Sequence, residues 1–90
     1  MASAQVRSSC NASIIGSQRG SRVNMRSGPG TVFASPSYVL VGQTVNILSD
    51  PAEGILISRT DGGGMKWYFV EYVPSNTRGW VRDDFLSSCL

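Results

Sequence analysis

Apolar and polar positions alternate with a period of two in several short stretches of the chain, and no stretch sustains a helical period. Val23 and Met25 alternate with Arg22, Asn24 and Arg26, the pattern of a strand with one buried face. Gly28-Pro29-Gly30 follows at once. The fixed φ of a proline between two permissive glycines ends the strand in a turn. Thr44 to Ser49 repeats the alternation, with Val45 and Ile47 on one face and Asn46 on the other, and Leu48 breaks it. Trp67 to Val73 is the longest candidate strand. Tyr68, Val70 and Tyr72 share one of its faces, while Trp67, Phe69, Glu71 and Val73 share the other. Aromatics on both faces make this strand central, or make one face a groove wall.

The remaining elements are shorter. Ala12 to Ile15 reads as a first strand, Tyr38 to Val41 as a returning apolar run, and Gly79 to Arg82 as the last strand. Gly42-Gln43, Asp50 to Gly54, Asp61-Gly62 and Pro74 to Arg78 read as turns. Asp83 to Leu86 reads as a short helical turn whose aspartates cap its start. Short strands separated by frequent turns predict an all-β fold. The expected organisation is a flexible N-terminal segment over 1–9 and a single domain over 10–90, without internal repeat or linker.

Ninety residues suit one small domain, and 41% apolar with 16% charged residues is an ordinary soluble balance. No apolar run approaches the length of a membrane span. The formal charge of +2 is too small to imply nucleic-acid binding. Its distribution is uneven. Residues 1–49 carry Arg7, Arg19, Arg22 and Arg26 and no acid, giving +4. Residues 50–90 carry four basic and six acidic side chains, 4 − 6 = −2. Two readings stand: a charge separation that folding evens out, and a basic face for an anionic partner such as a cell-wall polymer.

The sequence offers little catalytic chemistry. There is no histidine, which removes the commonest general base and metal ligand. The adjacent Asp83 and Asp84 diverge on any strand or turn and make a poor acid/base pair. Gly62-Gly63-Gly64 lacks the Lys-Ser/Thr of a phosphate loop. Neither cysteine has the cationic surroundings of a reactive thiol. The expectation is a domain that is not an enzyme, with no metal and no cofactor. What the chain does offer is eight aromatic residues, more than a small barrel can bury fully.

Val23-Asn24-Met25-Arg26-Ser27-Gly28-Pro29-Gly30-Thr31 resembles the signature of bacterial SH3-like domains. Gly42 to Leu48, Trp67-Tyr68-Phe69-Val70, and Gly79-Trp80-Val81 with Phe85-Leu86 resemble later blocks of that family, in the same order. The resemblance covers about Arg22 to Leu86 and implies a small SH3-like barrel of five to seven short strands, with a short helical turn near the C-terminus. It also implies a shallow groove between the long loop after residue 26 and the tryptophan-bearing strands. The candidate groove residues are Phe33, Tyr38, Trp67, Phe69, Trp80 and Arg82, and each tryptophan has an alternative role in the core. Ile55-Leu56-Ile57 departs from the family pattern within a 50–66 insertion. It reads as a hairpin extension or a flap over the groove, in either case covered.

In such a barrel the first and last strands are neighbours, so Cys10 and Cys89 come within reach of a disulfide; two free thiols near the chain ends are the alternative. Ala2-Ser3-Ala4 has the form found at a signal-peptide cleavage site. Together these features lead to the expectation of an extracytoplasmic, secreted module from which the signal peptide has been removed. Its expected partner is peptidoglycan or a cell-wall peptide. The alternatives are a protein-interaction module for extended peptides, against which the acid-free 27–41 stretch counts, and an oligomerising domain.

Overall fold

The computed structural model describes residues 7–89. Seven strands and two 3-10 turns make up the fold: β1 (Arg7–Ser13), β2 (Arg22–Met25), β3 (Ser37–Leu40), β4 (Thr44–Ser49), β5 (Ser58–Thr60), β6 (Lys66–Tyr72) and β7 (Thr77–Arg82). The 3-10 turns span Val73–Ser75 and Asp83–Phe85. A curled antiparallel sheet forms a half-barrel in this small all-β fold.

β6 is central, as its two apolar faces require. One edge pairs with β7 from Trp67↔Arg82 to Tyr72↔Thr77. The other edge is shared: β4 takes Val70 and Glu71, and β5 takes Lys66 to Tyr68. Ile57 fills the wedge where β4 and β5 part. Its N–H donates to the Leu48 carbonyl (2.9 Å), and its carbonyl accepts from the Phe69 N–H (3.1 Å). Leu56 bridges to Ser49 and packs half-buried on the core. The 55–57 run therefore returns antiparallel to the end of β4 through the 50–54 turn, a hairpin extension rather than a flap. Its expected covering fails at Ile55, which is 59% exposed.

β1 pairs with β4 from Arg7↔Ser49 to Ser13↔Thr44, with a bulge between Ser8 and Cys10. This strand starts earlier than expected, at Arg7 rather than Ala12, so residues 7–9 belong to it. The Ala2-Ser3-Ala4 feature lies outside the described residues. β2 and β3 form a two-stranded ribbon, Arg22↔Leu40 to Met25↔Ser37. The ribbon joins the sheet where Arg26 and Trp80 exchange backbone hydrogen bonds of 2.9 and 2.8 Å. Gly79 precedes that junction and is buried. A Cβ there would lie 2.9 Å from Met25 Cβ and 3.2 Å from the Arg26 carbonyl oxygen, so the close approach needs a glycine.

The core is Ala12, Ile14, Val23, Met25, Val39, Val45, Ile47, Val70, Val81 and Leu86. The alternating residues of β2 and β4 supply it as their pattern requires. Tyr68 and Tyr72 pack half-buried against it. Leu48 and Trp67 are also buried but lie outside this cluster. The chain end returns to the end of β1: Leu86 bridges to Ile14, and Ser87 donates to the Ser13 carbonyl at 2.9 Å. Cys10 and Cys89 form a disulfide, with Cα atoms 5.4 Å apart.

Two turns differ in detail from expectation. The 74–78 turn is the 3-10 turn ending at Asn76, whose φ of 53° is left-handed, a conformation that asparagine tolerates. The Asp83–Phe85 turn carries no side-chain cap. Asp84 instead faces Arg82.

Candidate functional site

The long loop between β2 and β3 is fixed from within. Ser27 donates to the Ala34 carbonyl at 2.8 Å, closing its base. Phe33 lies against the backbone of Gly28, where a Cβ would come within 2.5 Å of its ring. The Arg26 guanidinium then holds the loop from below: its Nη1 donates to the carbonyls of Phe33 (2.9 Å) and Thr31 (3.3 Å).

Beside this loop lies a cleft of about 220 Å3. Arg22, Arg26 and Arg82 line it, together with Thr31, Trp67 and Phe85. No carboxylate is among the lining residues. β2 supplies Arg22 from its outward face, and Arg26 follows the strand end in the same alternation that buries Val23 and Met25. β6 and β7 supply Trp67 and Arg82, which are register partners. Phe85 follows on the 3-10 turn, and Arg82 sits over its ring at 5.4 Å.

The cationic groups differ in how they are engaged. Arg82 donates through Nε and Nη2 to the two Asp84 oxygens at 2.7 and 3.0 Å. That fork raises the Arg82 pKa and lowers that of Asp84. Arg22 stacks on Tyr38, its guanidinium carbon 4.4 Å from the ring centre. Among the described residues, neither Arg22 nor Arg26 has a carboxylate partner.

Trp67 is 3% exposed and is held by Asp61. Its Nε1 donates to Asp61 Oδ2 at 2.8 Å. Asp61 Oδ1 accepts from the Gly63 and Met65 backbone at 2.8 and 3.0 Å. These bonds favour the carboxylate and hold the Asp61 pKa below its ordinary value, the indole bond most strongly. One side chain thus folds the β5–β6 loop and orients the tryptophan. Its partner Gly64, rather than Gly62, carries the positive φ of this turn.

The six residues expected to form a groove are divided among several places. Trp67 and Arg82 line the cleft. Phe33 lines an adjoining hollow of about 330 Å3 with Pro29 and Asp61. Tyr38 lies outside the cleft lining and braces one of its arginines. Phe69 and Trp80 pack with ring centres 5.3 Å apart and planes tilted by 45°, as cross-strand neighbours outside the cleft lining. Arg22 and Arg26 enter the sequence reading only as part of a basic first half, and Thr31, Phe85 and Asp61 not as site residues. The alternation of Arg22, Asn24 and Arg26 was a usable signal for the first two.

Among the described residues, no three potential metal ligands cluster, and no helix is long and apolar enough to cross a membrane. Compared with protein-family models, curated proteins and solved structures, the chain gives no match.

Proposed function

We propose that the chain is a noncatalytic binding module of the bacterial cell envelope, holding peptidoglycan or its peptides at the cleft beside the β2–β3 loop. The observation that carries this reading is the cleft lining: three arginines around a fixed tryptophan, without a carboxylate. Such a surface suits an anionic ligand with apolar parts. The sequence blocks that resemble bacterial SH3-like domains support the same reading, because the first of them contributes Arg26 and Thr31 to this cleft. The Cys10–Cys89 disulfide fits an oxidising, extracytoplasmic compartment.

Co-sedimentation with purified peptidoglycan sacculi tests the proposal. The wild type is expected to pellet saturably. Thr31→Trp, an exposed position on the cleft, is expected to fill it and remain in the supernatant while staying folded. A folded wild type that never pellets would contradict the proposal.

A second reading rests on Ile55, which is 59% exposed beside the half-buried Leu56. An oligomerising role for this strip predicts a mass that rises with concentration and falls in Ile55→Asp.

A further inference from the structure

We infer that the cleft recognises a peptide through a free carboxylate, captured between Arg22 and Arg26 while the adjoining aliphatic group rests on Phe85 beside the buried Trp67. The inference deepens the binding-module reading and rests on it.

The arginines of the cleft are not equivalent. Arg82 presents its fork to Asp84, so its charge is largely answered within the protein. Arg26 uses Nη1 on the loop carbonyls of Thr31 and Phe33. Its Nε and Nη2 have no acceptor among the described residues. Arg22 has no hydrogen-bond acceptor there at all, and Tyr38 holds its guanidinium plane from one face. Two planar donor groups, each held in place by the protein, therefore reach one cleft with bonds to give. Arginine forks match the two oxygens of a carboxylate, and held donors lose less entropy on binding than free ones. The stacked ring and the loop carbonyls provide that holding.

The other walls decide between anions. Phe85 gives the cleft accessible apolar surface over a floor that includes the buried Val23 and Trp67, and Thr31 and Asn24 give it neutral polar groups. That combination suits a carboxylate on a short aliphatic stem next to an amide, as at the C-terminus of a small-residue peptide. A phosphodiester polymer has no apolar group to place there. About 220 Å3 holds one small terminal residue.

The test is a titration of the intact protein with N-acetyl-Ala-Ala as free acid and as C-terminal amide, and with glycerol phosphate. It is followed by the NMR signals of the arginine Nε–H groups and the Trp67 Nε1–H. The free acid is expected to saturate and to move the Arg22, Arg26 and Trp67 signals. The amide is expected to bind about tenfold or more weakly, the usual loss for a charged hydrogen-bond pair. Arg22→Gln is expected to weaken the acid by a similar factor and to leave the amide unchanged, with Arg22→Lys between. Equal binding of acid and amide, or an Arg22→Gln variant that binds the acid as well as wild type, would overturn the carboxylate assignment. So would glycerol phosphate binding more tightly than the acid, which would point to a phosphate polymer. Sacculus binding separates the two levels. If Arg22→Gln pellets as wild type does, the carboxylate assignment falls and the module reading stands. If the folded wild type binds neither sacculi nor peptide, both fall.

Discussion

The Trp67 indole N–H donates to the Asp61 carboxylate at 2.8 Å, so the loop between β5 and β6 and the wall of the cleft are fixed by one bond. The same carboxylate also accepts from Gly63 and Met65. Asp61→Asn replaces one acceptor oxygen by a donor that faces N–H groups. The expected result is a lower Tm and a shifted Trp67 Nε1–H resonance, with β1–β4 signals unchanged. An unshifted indole signal would contradict this role.

A pH dependence follows from the same group. The folded Asp61 pKa is depressed, first by the Trp67 bond and then by the Met65 backbone bond. A depressed carboxylate pKa gives stability that is present above the unfolded value, about 3.9. It is lost as the pH falls through the folded value. The Trp67 Nε1–H resonance should therefore titrate with a midpoint below the unfolded value of about 3.9. A midpoint at or above that value would show that the carboxylate is not held as described.

Gly79 sets the junction between ribbon and sheet. Gly79→Ala would place a methyl group 2.9 Å from Met25 Cβ and 3.2 Å from the Arg26 carbonyl oxygen. Overpacking of this kind costs about 1–3 kcal/mol. Chemical denaturation should show that loss, and amide exchange at Arg26 and Trp80 should quicken. A variant as stable as wild type would mean the ribbon can shift outward without cost.

Ile14 and Ile15 are adjacent but lie on opposite sides of the barrel wall. Ile14 is 1% exposed and bridges to Leu86, whereas Ile15 is 42% exposed. Ile14→Ala should cost about 2–5 kcal/mol, and Ile15→Ala should stay within about 0.5 kcal/mol. Equal losses would contradict the assigned register.

The Cys10–Cys89 bridge links residues 79 apart in sequence. In the chain-entropy description, such a loop contributes about 4–5 kcal/mol by restricting the unfolded chain. Reduction, or paired Cys10→Ser and Cys89→Ser substitution, should lower the denaturation midpoint by a matching amount. An unchanged midpoint would show that the closure by Leu86 and Ser87 suffices without the bridge.

Much of the barrel was legible because its signals are local. Val23 and Met25, Val45 and Ile47, and the Tyr68-Val70-Tyr72 face each declare burial through a period of two within one strand. The Asp83–Phe85 turn was legible as a turn, but its aspartates were misassigned, because the Arg82 fork two residues away competes for Asp84. The Ile55-Leu56-Ile57 run was legible in one of its two readings, the hairpin extension of β4. The bond from the Phe69 N–H to the Ile57 carbonyl was not, because it depends on where β4 and β6 diverge, which no local pattern encodes. The site was only half legible. Trp67 and Arg82 could be named from the strands that carry them. Their meeting with Arg22, Arg26 and Thr31 depends on the ribbon docking through Arg26 and Trp80, a contact between distant parts of the chain. Phe69 and Trp80 illustrate the opposite error: half-buried aromatics on neighbouring strands pack on each other without lining the cleft.

Chemical-shift mapping with solubilised peptidoglycan fragments tests the central claim most directly. Saturable shifts are expected at the cleft residues Arg22, Arg26, Thr31, Arg82 and Phe85 and at the Trp67 Nε1–H, with Gln43, Tyr72 and Ile55 unmoved. Shifts centred on Ile55 and Leu56, or no shifts in the folded protein, would contradict it.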